Sequence, residues 1–358
     1  MAAKNAVVIT DIQAYAEKHE KELLMLAVGE NELTEKCTVL AGVKDKHTMT
    51  ELEFKSLVKP YKKDWDPEGD KAALIPRTLR VEIGQVELEE EPLAYRKTYL
   101  GSFMKDGVDP KDHPFAKYFL EGVVIRVNND LVDEAAFWGD IALKESGTDE
   151  QKKSVAAVND GWMTILNKEI AAGNVSEVKG NLIPTGDINP SNAVAKLKDI
   201  YRKAAKKAPR IRSRVTRMYM SYETYDAYTD NYQAINGALP YNKEFEHTFL
   251  EGSSRKCILT PMRGMKDSKR IILTEEWNMV YGVDTLSDQE YIEVFNPANP
   301  KVMGFLLLMA YGFQFRSLNA LFTNEAEVDS DESASASASA SASASASGSA
   351  SGSTSASA

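Results

Sequence analysis

Apolar residues recur along this chain with two periods, and changes of period mark its elements. Residues 8–30 place Ile12, Tyr15, Leu23 and Leu26 on one face at helical spacing, with Glu and Lys opposite and Thr10 or Asp11 free to cap. This predicts a docking helix. Over 33–75, Pro60, Pro67 and Gly69, with Pro76 just after, break regular structure, so an extended arm is expected, not a compact unit. From 77 to 105 the period becomes two. Leu79, Val81 and Ile83, then Val86 and Leu88, alternate with polar residues, and a frame shift near Gly84 reads as a bulge. Pro92, after "ELEEE", turns the chain into a returning strand, "LAYRKTYLGSFM". A long hairpin with an acidic tip is expected.

A helical period then returns. Asp112 caps and Pro114 suits a first turn, and Phe115, Phe119, Val123, Val127 and Leu131 recur every four residues up to Gly139. The β-branched run "GVVIRVNND" leaves strand open as an alternative within it. Beyond 140, helices and strands alternate. Helices are expected at "DGWMTILNKEIAAG", closed by Gly173; at "NPSNAVAKLKDIYRKAAKKAP", stopped by Pro209; and at "YETYDAYTDNYQAI", capped by Ser221. Strands are expected at "RVTRMYMS", "KCILTPM", "KRIILTE" and "NMVYGVD", and the last apolar stretch reads as two strands joined by a Pro/Asn turn. The fold class is α+β.

Charge changes the picture at one place. Residues 196–217 hold ten Lys/Arg against one Asp, or +9, which leaves −19 for the rest of a chain whose net charge is −10. A basic strip on an acidic body suits phosphates or an acidic protein surface; the plainer reading is a solvated helix face. Within the chain the natural acidic counterpart is the run Glu87, Glu89, Glu90 and Glu91. Tyr222, Tyr225, Tyr228 and Tyr232 follow helical spacing and read as packing, not as a base-stacking platform.

Catalytic chemistry is not evident. The motifs GxxxxGK[ST], GxGxxG, GxSxG and HExxH are absent, and His19, His47, His113 and His247 are scattered. Asp64 and Asp66 lack the further ligands of a calcium loop. No cofactor, metal site or catalytic residue is expected. Cys37 and Cys257, far apart and without CxxC spacing, suit a reducing compartment. The first 20 residues lack a secretory pattern. The longest apolar stretch, Val302 to Phe315, is shorter than the ~18–20 residues of a membrane-spanning helix, so no membrane is expected as a partner.

The ordered set of arm, long hairpin, long helix ending in "AAFWGD", "MYMSYETYDAY" and "IILTEEWNMVYGVD" resembles tailed-phage major capsid proteins of the HK97-like fold over roughly residues 30–322. The resemblance implies an N-terminal helix and arm (1–76), an extended hairpin loop (77–106), a spine helix of a peripheral domain (107–139), a mainly axial domain (140–288) and returning peripheral strands (289–324). It also settles "GVVIRVNND" as helix. It implies a non-enzymatic shell protein, assembling as pentamers and hexamers around packaged double-stranded DNA in the virion, built in the host cytoplasm. Its partners would be further copies of itself, a separate scaffold protein, a portal and decoration proteins. Only about 35 residues precede the arm, fewer than the scaffolding region some relatives carry. Candidate inter-subunit contacts are Glu87, Glu89, Glu90, Glu91, Arg96 and Lys97 in the hairpin, and Lys206, Lys207, Arg210, Arg212 and Arg214 in the strip. Two alternatives stay open: an encapsulin-type compartment shell, and a soluble enzyme with an unrecognised carboxylate site.

The chain closes on "SASASASASASASASGSASGSTSASA" after an acidic run at Glu325, Glu327, Asp329, Asp331 and Glu332. A solvated, uncharged brush is expected of residues 325–358, since Gly348 and Gly352 and the charged lead-in oppose silk-like stacking.

Overall fold

A computed structural model describes residues 31–91 (except 55, 62, 65, 66, 68 and 70), 115–240, 248–284, 291–295 and 302–325, with 12–16, 18, 19 and 23 from the N-terminal segment. The expected returning strand at 93–104 and the serine–alanine tail lie outside these residues.

The helices form where caps and periodicity place them. Helix α1 (Glu32–Lys36) starts at Asn31, whose side chain accepts from the amides of Leu33 and Thr34 at 3.0 Å each. Helix α2 (Phe115–Asp130) passes through a π turn at Leu131–Ala135 into a last turn at Ala136–Trp138, and stops at Gly139. The run "GVVIRVNND" is helical throughout. The expected ridge is rotated: Leu120, Val124, Val127 and Leu131 are buried, while Phe119 and Val123 are half-buried beside them. The π turn inserts one residue per turn, which keeps Leu131, Val132, Ala135, Ala136 and Phe137 all inside. Helices α3 (Trp162–Ala171), α4 (Ala193–Lys207) and α5 (Tyr222–Asn236) follow. The α5 cap is Ser221, whose Oγ accepts from the Thr224 amide at 3.2 Å, and its stop is Gly237 in the left-handed region. Of the N-terminal segment, Ile12, Ala16 and Leu23 are buried, and 12–16 is helical.

Eleven strands are described: β1 (Thr38–Ala41), β2 (Lys46–Phe54), β3 (Ala72–Arg80), β4 (Glu82–Glu90), β5 (Thr216–Met220), β6 (Cys257–Pro261), β7 (Ile272–Glu275), β8 (Met279–Val283), β9 (Tyr291–Phe295), β10 (Met303–Phe315) and β11 (Leu321–Thr323). The first sheet is built on the long strand β10. Antiparallel β4 pairs with its residues 303–311, β9 with 304–308 and β8 with 311–315; β1 lies parallel to β8. The second sheet runs β11-β7-β5-β6, with β5 and β6 parallel and α5 in the crossover. The third is a β2–β3 hairpin.

Two of the sequence expectations are corrected here. Residues 33–75 were expected as an arm without compact structure, yet 46–54 pair with 72–80 over nine residues. Pro60, Pro67 and Gly69 sit in the connection between the strands, where they leave the "KHTMTELEF" strand intact, and Pro76 lies within β3 opposite Thr50. The hairpin expected to begin at 77 is also different. Residues 77–80 finish β3, and 82–90 join the first sheet along β10. The frame shift near Gly84 is therefore no bulge. It is a change of sheet at Val81, whose amide leaves both ladders and donates to the Asp45 carbonyl at 2.9 Å.

The second sheet separates two cores. Tyr219, Ile272 and Leu321 face α2, α3 and β10; Met218, Met220, Leu273 and Phe322 face α4 and α5. Alternate side chains thus leave on opposite sides and both are buried, so "MYM" and "IIL" read as continuous apolar runs. A third, small cluster of Val43, Met49, Leu79, Val81, Val280 and Ala310 fixes the base of the β2–β3 hairpin to the first sheet.

Candidate assembly surfaces

Three exposed surfaces stand out among the described residues. Among them, no group of three or more His, Cys, Asp or Glu side chains could hold a metal ion. No helix is long and apolar enough to cross a membrane. His19 stacks on Tyr15 with ring centroids 4.4 Å apart, and His47 is exposed on β2; His113 and His247 lie outside the described residues. The Cys37 and Cys257 thiols are sealed inside, and burial pushes both up to about 12.

The first surface is the β2–β3 hairpin. Its base is pinned by Arg77, which is 12% exposed. Nε donates to the Phe315 carbonyl at 2.8 Å, Nη2 donates to Gln314 Oε1 at 2.9 Å, and Nη2 stands 2.8 Å from Glu169 of α3. Beyond that anchor the hairpin exposes apolar residues on both strands and in the connection: Leu52, Phe54, Leu57, Leu74, and Val58 and Tyr61, each 93% exposed. Isolated exposed apolar side chains are ordinary, but six on one projecting element mark a contact surface.

The second is the acidic edge. On β4 the alternation sends Gly84, Val86, Leu88 and Glu90 inward and Glu87 and Glu89 outward, with Glu91 exposed just beyond. Glu87, Glu89 and Glu91 have no partner among the described residues. Arg96 and Lys97 lie outside those residues.

The third is the basic strip. Lys206, Lys207, Arg210, Arg212 and Arg214 are all exposed, at the end of α4 and in the turns after it. The structure separates them by use. Glu275, 2% exposed, faces two of them within the chain: Arg214 Nη1 donates to Oε2 at 2.9 Å, and Arg210 Nε lies 3.2 Å from Oε1 without hydrogen-bond alignment. Trp277 Nε1 also donates to Oε2, at 2.8 Å. Arg217, at the end of the charge run, is buried and donates twice to Glu276, at 2.6 and 3.2 Å. Lys206, Lys207 and Arg212 make no hydrogen bond or ion pair among the described residues. Sequence reasoning missed Glu275 because "TEEW" lies 61 positions from Arg214, and only the β5–β7 pairing brings them together.

An open groove of ≈ 640 Å³ joins the first and third surfaces. The hairpin supplies Glu51, Leu52, Phe54 and Ile75; the opposite wall carries Lys179, Lys207 and Arg210. Three of the four residues of the tyrosine stripe on α5 are packing, as expected, while Tyr222 is exposed. Tyr228 is fully buried, its Oη accepting from the Glu251 amide at 3.1 Å, and Tyr225 and Tyr232 are half-buried against the same core.

No family model and no curated protein matches this chain. Solved structures do. A chain of the satellite phage P4 procapsid is 8% identical, with a TM-score of 0.53 over 85% of this chain and 89% of that one. A virus-like particle from Pyrococcus furiosus is 10% identical over 87% and 99%, at 0.46. The capsid of Myoviridae phage XM1 is 11% identical over 84% and 91%, also at 0.46. The P4 likeness shows the fold alone: this chain shares the mixed α+β architecture of that procapsid chain.

Proposed function

We propose that this chain is a major capsid protein, a structural subunit that assembles in many copies into the closed head shell of a tailed phage. The observation that carries this reading is the β2–β3 hairpin. It is anchored by Arg77 and its small core, and it projects exposed apolar side chains that a solitary subunit has no reason to keep. Likeness of fold to a procapsid chain over 85% of the sequence supports it.

On this reading the β2–β3 hairpin is the loop that reaches a neighbouring subunit. The β10 sheet with α2 and α3 forms the peripheral part, with α2 as its spine, and the β5 sheet with α4 and α5 forms the axial part. Glu87, Glu89 and Glu91 of one copy meet Lys207 and Lys179 on the groove wall of the next, with Arg212 nearby. Each exposed pair is worth under about 1 kcal/mol, so such contacts set register through repetition and add little strength individually. The shell would enclose double-stranded DNA, with a separate scaffold, a portal and decoration proteins as partners, and no step of its work needs a catalytic residue.

Electron microscopy of the expressed full chain is the test. Closed shells or capsomer rings are expected, and replacing Leu57, Val58 and Tyr61 with serine should abolish them while leaving a folded monomer. A discrete monomer at every salt and protein concentration would overturn the reading. Protein cargo in place of nuclease-protected DNA inside native particles would redirect it to a compartment shell.

A further inference from the structure

Helices α4 and α5 pack side by side on the β5 sheet, joined at one end by the Val194 amide donating to Asn231 Oδ1 at 3.0 Å. Their exposed faces have opposite charge. Helix α5 contains no Lys or Arg, and Glu223, Asp226 and Asp230 are exposed on it. The i, i+3, i+7 spacing lines these carboxylates up in one stripe about 10 Å long. Helix α4 exposes Arg202 and Lys206, one turn apart. None of these five side chains has a partner among the described residues. The other cations of α4 are differently placed: Lys198 pairs with Glu251 and Lys203 with Asp199, Lys196 donates to the Thr185 carbonyl, and Lys207 lines the groove.

Opposite charges on two packed helices would pair within the chain if they faced each other. They do not: among the described residues no ion pair joins the acidic stripe to Arg202 or Lys206, so both faces are open to another molecule. A body carrying two complementary faces that do not meet within itself associates head to tail, and head-to-tail contacts close into rings where the rotation between copies closes, or run on as filaments where it does not. Tyr222, 48% exposed and one turn before Asp226, adds apolar surface beside the acidic stripe.

We infer that the Glu223–Asp226–Asp230 face of α5 binds the Arg202–Lys206 face of α4 on a second copy of this chain, and that this contact repeats around each ring of subunits. The ring deepens the shell reading and rests on it; the pairwise contact does not.

Two charge-reversed full chains test it. One carries Glu223→Lys, Asp226→Lys and Asp230→Lys; the other carries Arg202→Glu and Lys206→Glu. Each presents like charge on both faces, so each should repel itself, while the two together are complementary. Sedimentation at low salt should find either variant associating at least tenfold more weakly with itself than with the other. Wild-type-like self-association of both variants would overturn the contact, as would an equimolar mixture that stays monomeric. A mixture that associates while the wild type forms no shell upholds the contact and sinks the shell reading alone. Circular dichroism melts check folding. Should a reversed chain lose its transition, the amide set Glu223→Gln, Asp226→Asn and Asp230→Asn replaces it, with self-association lost if the contact exists and kept if it does not.

Discussion

Gly312 and Gly282 face each other across β10 and β8, and β-propensity alone favours replacing both with alanine. The structure predicts the opposite, with different costs at the two sites. A Cβ on Gly312 would lie 2.0 Å from the Arg80 carbonyl oxygen and 2.9 Å from its carbon. That is backbone, and it is held in place because the next amide, Val81, donates to Asp45. A Cβ on Gly282 would lie 2.5 Å from Leu79 Cδ2, the far end of a side chain. Overpacking costs typically about 1–3 kcal/mol, so Gly312→Ala belongs at about 3 kcal/mol or beyond and Gly282→Ala near about 1 kcal/mol. Urea denaturation measures both. A cycle with Leu79→Ala sharpens the comparison, because truncation removes the obstacle at Gly282 and leaves the one at Gly312. Favourable coupling of about 1 kcal/mol is expected only with Gly282→Ala. Equal costs, stabilisation by Gly312→Ala, or coupling at Gly312 would refute the claim that the β3-to-β4 crossing lies directly on that strand.

Arg77→Ala should cost about 2–4 kcal/mol and speed proteolytic cleavage between residues 54 and 72, because two carbonyl-type acceptors and Glu169 lose one half-buried donor. Arg77→Lys should recover little, since a single ammonium cannot span the same three groups; full recovery would show the contact is charge alone. The buried thiols set an alkaline limit. Cys37 and Cys257 are raised from 9.0 to about 12 by burial, so the fold favours their neutral form. That stability is complete below pH 9 and declines as pH rises from about 9 toward about 12, by up to about 4 kcal/mol per thiol. Urea midpoints should fall over that window less steeply in a Cys37→Ala, Cys257→Ala chain. At pH 8 a thiol reagent should label neither cysteine faster than the protein unfolds, and rapid stoichiometric labelling of native protein would contradict the burial.

Local signals and long-range pairing divide the chain cleanly. Ser221, Gly237, Gly173 and Pro209 act within a turn of themselves, and α3, α4 and α5 begin and end beside them as expected. Strands β5 to β10 are also recognisable, because a strand buried on one or both faces must be apolar at every second position or at every position. The surfaces were less accessible. The acidic residues of β4 and the basic strip stand out by composition. That Arg210 and Arg214 already serve Glu275, leaving Lys206, Lys207 and Arg212 with no hydrogen bond or ion pair among the described residues, depends on β5 lying beside β7.

By itself the amino-acid order determined helices α2 to α5, the strand candidates, the mixed α+β class and the isolated positive charge, because caps, periodicity and net charge are properties of neighbouring residues, but not the short α1 within the expected arm. Tertiary structure alone decided that Val81 is a switch between sheets, that strands 46–54 and 72–80 form a hairpin, and that the exposed charges of α4 and α5 find no partner in each other. Each of these depends on which segments, far apart in the chain, lie side by side. An alternating pattern says that a strand has a buried face, but not which strand will lie against its edge.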